Sequence, residues 1–111
     1  MAVIFLKLNQ VKLNQLSDEA LMLKVKNGQL DVMKLLFERY HLLLYNFFFR
    51  MSMDEELSKD LVQNLFIRII RYKKSFNPEY KFKTWMYQMA PTKLITEPRA
   101  NLTFRTMIEK L

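Results

Sequence analysis

The clearest alternation of hydrophobic and polar positions lies between residues 57 and 71. Leucine or isoleucine recurs every fourth residue from Leu57 to Ile69, and further apolar residues lie one step round the helix at Val62, Phe66 and Ile70. This spacing predicts a helix whose broad apolar face packs on a core. The opposite side combines an acid, two amides, an aliphatic residue and a base: Asp60, Gln63, Asn64, Ile67 and Arg71. Solvated helix faces usually carry Lys and Glu, so this composition suggests a surface that meets a partner. Because solvated faces outnumber binding faces, an ordinary solvated face stays open as the alternative.

Three further helices are predicted from the same kind of pattern. Ser17 is a typical N-cap with two acids behind it, and the helix that it begins runs to about Lys26, where Asn27-Gly28 closes it. A longer helix is expected from about Leu30 to Arg50. Its broad apolar face comprises Met33, Leu36, Phe37, Tyr40, Leu43, Leu44, Phe47 and Phe48. Met51 to Met53 is expected to form a tight connection to the helix described above, which opens at Asp54 and runs to about Tyr72.

The last helix begins near Phe82. Its inward side is predicted to hold Phe82, Trp85, Met86 and Met89, and its outward side Lys83, Thr84, Tyr87 and Gln88. Pro91 should end or kink it early. The sequence therefore predicts an all-α fold, a compact bundle of four main helices over residues 17–90. An arm or short helix over residues 1–16 precedes it, and an atypical tail over residues 91–111 follows it.

Composition narrows the class of protein. One glycine, three prolines and no cysteine disfavour a turn-rich β fold and exclude disulfides and cysteine-based metal sites, and the single histidine excludes the usual histidine-rich ones. No apolar run is long enough to span a bilayer, so membrane insertion is not expected. There is no glycine-rich phosphate loop and no nucleophile paired with a base. We therefore expect a cytoplasmic protein that is not an enzyme and needs no cofactor or metal.

Charge separates the two parts of the chain. Residues 1–66 carry eight basic and eight acidic residues, whereas residues 67–111 carry ten basic and three acidic residues. The whole net charge of +7 thus lies in the second part, which indicates contact with a polyanion.

The segment from Lys73 to Lys81 interleaves lysines with Phe76 and Tyr80, and Asn77-Pro78 makes it a loop. Lysines can hold phosphates while aromatic rings stack on unpaired bases. The two rings can equally fill the core beneath a solvated loop. The residues alone leave both interpretations open.

Several of these residues together resemble a known family. From Ser17 to Ala90 the chain resembles region 2 of a bacterial RNA polymerase sigma factor of the extracytoplasmic-function group. The resemblance rests on Gly28 with Asp31, the Phe37…Tyr40…Tyr45 spacing, Asp60-Leu-Val-Gln63-Asn-Leu-Phe66 and Phe82-Lys-Thr84-Trp85-Met-Tyr87.

The resemblance implies two binding surfaces. The third helix would dock on the clamp coiled coil of the largest catalytic subunit of core RNA polymerase through Asp60, Gln63 and Asn64, to which helix geometry adds Ile67 and Arg71. The loop and fourth helix would hold the non-template single strand of the minus-ten promoter element with a base flipped out. The expected DNA-binding residues are Lys73, Lys74, Ser75, Phe76, Asn77, Tyr80, Lys81, Lys83, Thr84, Trp85 and Gln88. An anti-sigma factor is a candidate further partner.

The chain departs from the family pattern after Ala90. Pro91-Thr92-Lys93 stands where the family has an Arg-Asn pair and further basic residues, and the second, helix-turn-helix domain of the family is not expected in the residues that follow. A truncated form or an altered reading frame would explain this. Two alternative functions stay open, a helical interaction module or clamp-binding regulator without promoter activity, and a general basic nucleic-acid binder.

Overall fold

Four α-helices make up most of the described chain. The computed structural model describes residues 12–91, and within that range the regular secondary structure consists of helices with no strand, which confirms the predicted all-α class. The helices are α1 Asp18–Lys26, α2 Met33–Ser52, α3 Glu55–Arg71 and α4 Phe82–Gln88. Short 3₁₀ turns span Leu30–Val32 and Lys73–Ser75. Most of the predicted N-terminal arm and nearly all of the predicted tail lie outside the described residues; of the arm, residues 12–14 are helical.

Helix α1 begins and ends where the sequence predicts. The Ser17 hydroxyl oxygen accepts a hydrogen bond from the Ala20 N–H at 3.1 Å, and Asp18 and Glu19 occupy the first turn. Gly28, just after the helix, has a φ of 103°, a value that L side chains rarely adopt. A polar cap and a glycine turn therefore define both ends of α1.

The connection between α2 and α3 is shorter than predicted. Helix α2 continues to Ser52, beyond the expected end at Arg50, so Met51 lies inside the helix with its side chain in the core. The chain reverses at Met53, whose φ of 54° is left-handed. Asp54 then caps α3, because its Oδ1 accepts the Leu57 N–H at 3.0 Å. Extending α2 adds the apolar surface of Met51 to the core, which explains the difference from the prediction.

The core lies between the four helices. Its largest fully buried side chains include aromatic residues from α2 and α4, and aliphatic residues from all four helices; among them are Phe48, Phe82, Leu21, Leu36, Leu44, Leu61, Leu65, Ile69 and Met86. The predicted apolar stripe of α3 is thus confirmed except at Ile70, which is 37% exposed. On α2, however, Leu43 is 52% exposed although it was predicted on the inward face. Within residues 12–91 no element covers that part of α2. None of the helices in this range has the length and apolar character needed to cross a membrane.

Candidate functional surfaces

The polar stripe of α3 is accessible. Asp60, Gln63, Ile67 and Arg71 are exposed and Asn64 is half-buried, whereas Leu61, Leu65 and Ile69 on the other side of the helix are buried. Ile67 is 53% exposed, so an aliphatic residue lies in the open among polar ones. Within residues 12–91 none of the four polar side chains of the stripe makes a hydrogen bond or an ion pair. Their donors and acceptors are therefore available to a partner.

A groove between α2 and α3 extends this surface. Gln63 and Val62 from α3 line it together with α2 side chains, and its volume is about 420 Å³. On the α2 side, Phe37 stacks on His41 with ring centroids 4.9 Å apart, and Leu42 and Tyr45 complete the apolar wall. Phe37 was predicted on the inward face of α2 but is 38% exposed, and Leu42 and Tyr45 were not predicted to form a binding surface. The run of apolar residues through Leu42 and Leu43, wider than one helix stripe, was the available signal.

The second candidate surface runs from Lys73 to Gln88. Of its predicted DNA-binding residues, Lys74, Ser75, Asn77, Tyr80, Lys81, Lys83 and Gln88 are exposed, and Lys73, Thr84 and Trp85 are half-buried. The four lysines make no ion pair within the described part of the chain, so their charge is not neutralised there. With Glu79 as its one acid, the segment from Lys73 to Gln88 carries a net positive charge.

Phe76 does not belong to this surface. Its ring is 1% exposed and lies edge-on to Trp85 and Phe82, with centroid distances of 5.2 Å and 6.1 Å. The buried ring is not accessible to stack on a base in this structure, because an apolar ring gains more from burial against other aromatic rings than from exposure in a solvated loop. Tyr80 has the opposite environment and is 69% exposed. Of the two interpretations left open for the loop, the core role therefore applies to Phe76 only.

Five of the predicted DNA-binding residues line one pocket. It has a volume of about 270 Å³ and is formed by Tyr80, Lys81, Thr84, Trp85 and Gln88. Residues from the loop and from two successive turns of α4 thus converge on a concave site with aromatic, basic and amide side chains. Such a site can stack a planar ring and donate or accept hydrogen bonds at its edge.

Trp85 also borders a second, smaller recess of about 180 Å³. Arg68 and Tyr72 from the end of α3, with Ser75 and Met89, form its other walls. The Arg68 guanidinium donates to the Met89 carbonyl at 3.3 Å and so ties the end of α3 to the end of α4. Sequence reasoning did not single out Arg68, Tyr72 or Met89 as surface residues, since Arg68 falls between the two predicted stripes of α3.

The position of Tyr87 differs from the one predicted from the sequence. It was expected on the outward side of α4, but it is 6% exposed and its ring packs edge-on against Phe47 of α2 at 5.0 Å. Burial raises the pKa of the Tyr87 hydroxyl. Helix α4 is covered on two sides, so a single inward stripe does not describe it. It ends at Gln88, before Pro91, as predicted.

Comparison with known proteins identifies the class of this fold. The family model for sigma-70 region 2 matches residues 36–101, from inside α2 to a point beyond the end of α4. The chain therefore belongs to the sigma-70 region 2 family.

The similarity extends to one subgroup of sigma factors. Over 78 residues the chain is 32% identical to the "ECF RNA polymerase sigma factor SigX" of Bacillus subtilis (strain 168), an alignment that covers 70% of this chain and 40% of that relative. The chain thus spans well under half the length of that relative. No solved structure matches the chain significantly. The family match confirms the resemblance to sigma factor region 2, and this relative belongs to the extracytoplasmic-function group that the sequence resembles.

Proposed function

We propose that this domain serves as region 2 of a sigma factor, binding core RNA polymerase through α3 and holding opened promoter DNA with the segment from Lys73 to Gln88. The work is binding and not bond chemistry. It would take place in the cytoplasm, where the polymerase and the promoter are found. The supporting evidence is the family membership of the chain together with the geometry of the two surfaces.

The polymerase contact is assigned to the polar stripe of α3 and the groove beside it. The stripe offers unpaired carboxylate, amide and guanidinium groups around the exposed Ile67, and the adjoining groove is lined by apolar and aromatic side chains from α2. A central apolar patch with a polar rim is the usual anatomy of a protein–protein interface. A helical partner such as the clamp coiled coil can lay one face along α3 and one edge into the groove.

The DNA contact is assigned to the pocket of Tyr80, Lys81, Thr84, Trp85 and Gln88 and to the lysines around it. This pocket is the observation that carries the proposal, because it joins residues of a loop and a helix into a ring-sized site on a basic surface. Opening a few base pairs costs a few kcal/mol, and each base captured on an aromatic ring returns about 1–3 kcal/mol. Lysines on the backbone phosphates add a contribution that falls as salt is raised. The domain alone would therefore bind a single strand weakly, and core polymerase would hold the domain and the strand in alignment.

Co-purification with core RNA polymerase tests the first contact. We expect the Asp60→Ala, Gln63→Ala double variant to bind core polymerase at least roughly tenfold more weakly than wild type, since truncating interface side chains commonly costs more than 1 kcal/mol each. The matched control is Gln29→Ala, Asp31→Ala, which removes an exposed amide and an exposed acid near α1, away from α3. Undiminished binding by the α3 variant would place the polymerase contact elsewhere.

Binding of a labelled single-stranded DNA by the same proteins tests the second contact. We expect the Asp60→Ala, Gln63→Ala variant to retain the wild-type affinity for the single strand, because its changes lie outside the lysine-bearing segment. Polymerase binding without any single-strand binding by the wild type would instead favour a clamp-binding regulator that lacks promoter activity.

A further inference from the structure

The loop that leads into α4 is held at both ends by side chains of α1. The Lys26 ammonium donates a hydrogen bond to the Phe76 carbonyl at 2.7 Å. The Glu19 Oε2 accepts a hydrogen bond from the Phe82 N–H at 3.1 Å. These two bonds enclose the five residues from Asn77 to Lys81, which include two of the residues that line the pocket.

The bond from Glu19 supplies a cap that α4 does not have locally. Helix α4 is only seven residues long, and its N-cap residue is Lys81, whose side chain makes no capping hydrogen bond. A lysine has no acceptor, so the first N–H groups of the helix need a partner from elsewhere. Glu19 provides an acceptor and a negative charge at the positive end of the helix dipole. Because helices this short are marginal by themselves, an external cap matters more here than in α2 or α3.

Helix α1 is itself fixed to α2. The Asp18 carboxylate accepts hydrogen bonds from the Arg39 guanidinium at 2.8 Å and from the Tyr40 hydroxyl. Arg39 also donates to the carbonyls of Asn14 and Leu16, just before α1. Glu19 and Lys26, which hold the loop, therefore lie on a helix that is itself anchored to α2.

We propose that Glu19 and Lys26 are positioning residues for the DNA-binding pocket. By fixing the backbone at Phe82 and at Phe76, they hold Tyr80 and Lys81 beside Trp85 and Gln88 before a strand arrives. Holding the loop in its bound geometry lowers the ordering cost of binding. This inference rests on the proposed DNA contact and adds to it two residues that touch neither polymerase nor DNA.

Charge makes the Glu19 test decisive. Glu19→Ala removes a negative charge close to a polyanion-binding surface, so electrostatics alone would tighten DNA binding. Positioning predicts the opposite. We expect Glu19→Ala in the full chain to bind a labelled single-stranded DNA pool of random sequence roughly three- to tenfold more weakly than wild type, the effect of one hydrogen bond. Glu19→Gln retains an acceptor oxygen and should keep most of the affinity. Glu38→Ala, an exposed glutamate of α2, is the control.

Lys26→Met provides an independent test with the apolar stem retained. We expect a similar loss of affinity while the slope of log affinity against log salt stays at its wild-type value, because Lys26 would act on the Phe76 carbonyl and not on a phosphate. Replacing a lysine in direct phosphate contact would reduce the magnitude of that slope by about 0.7 on a single strand. Lys24→Met removes the same charge from the same helix and should leave the affinity near that of wild type.

Amide hydrogen exchange separates this inference from the proposed function. We expect the amides of Asn77 and of residues 79–82 to exchange faster in Glu19→Ala and Lys26→Met than in wild type, with unchanged exchange at the buried amides of α3. Wild-type exchange over residues 77–82, or single-strand affinity in Glu19→Ala equal to or above wild type, would overturn the positioning role. If wild type bound no single strand while the loop still loosened in the variants, the proposed DNA contact would fail and the inference would fall with it.

Discussion

The two candidate surfaces are built in different ways. The polar stripe lies on α3, a single 17-residue helix with its own N-cap at Asp54 and a continuous buried face behind it. The segment from Lys73 to Gln88 combines a 3₁₀ turn, a loop and a seven-residue helix. Its shape depends on Lys26 and Glu19, which precede their partners by 50 and 63 residues.

The α3 surface is held in place by residues of α3 itself, whereas the loop surface depends on residues that are distant in the sequence. On α3 a substitution in the stripe changes one contact and leaves the helix in place, because the buried face holds it. In the loop, the position of Tyr80 depends on core residues on either side of it and on α1. The α3 surface should therefore respond to mutation residue by residue, and the loop surface should also respond to changes far from it.

The largest expected effect is on folding and comes from the ring beneath the loop. We expect Phe76→Ala to lower the free energy of unfolding by about 3–5 kcal/mol, the usual result of truncating a buried phenylalanine. Urea unfolding followed by circular dichroism measures it. A wild-type unfolding midpoint in this variant would mean that the ring does not support the loop and would reopen its role in stacking.

Tyr80→Ala, in the same loop, should weaken DNA binding and leave stability nearly unchanged. Its ring is exposed, so the free energy of unfolding should change little, whereas single-strand binding should weaken by about 1–3 kcal/mol if the ring stacks on a base. Tyr80→Phe keeps the ring and is the control, with near wild-type affinity expected. Equal DNA binding by Tyr80→Ala and wild type would remove the stacking ring from the proposed site.

The smallest effect concerns the anchor of α1 and appears at high pH. Burial, and then the hydrogen bond to Asp18, raise the pKa of the Tyr40 hydroxyl above its ordinary value. Because the folded state holds this proton more tightly, the resulting stability is complete below a pH of about 10 and is lost as the pH rises further. We expect the free energy of unfolding of wild type to fall more steeply than that of Tyr40→Phe above a pH of about 10, in urea titrations at a series of pH values.

Tyr40→Phe also serves as its own reference at neutral pH. At neutral pH the substitution should lower the free energy of unfolding by roughly 1 kcal/mol, the contribution of one hydrogen bond. The buried Tyr87 titrates in both proteins, so it does not affect the comparison. Parallel pH profiles for the two proteins would show that the hydroxyl of Tyr40 does not help to hold α1 on α2.

The α3 surface could be predicted from the sequence because helix geometry assigns each residue to a face. Once Leu61, Leu65 and Ile69 are placed inward, Asp60, Gln63 and Ile67 must point outward. The caps at Ser17 and Asp54 are equally local, since each side chain bonds an N–H three residues ahead. Assignment of the stripe to a polymerase contact stays a prediction.

The loop surface could be predicted only in part. No periodicity distinguishes Phe76 from Tyr80, and the structure assigns them opposite environments. Tyr87 is buried because α2 covers a second side of α4, which a stripe counted along α4 cannot show. Glu19 and Lys26 contact backbone atoms of distant residues, and contacts of that kind leave no pattern in the sequence.

The distance along the chain between Glu19 and Phe82 also affects the order in which the domain matures during translation. Helices α2 and α3 are joined by two residues and can pair as a hairpin soon after both emerge from the ribosome. Closing the segment between Glu19 and Phe82 is entropically costly and must wait until α4 has been made. A newly synthesised chain would therefore present its α3 surface before the surface from Lys73 to Gln88 is complete.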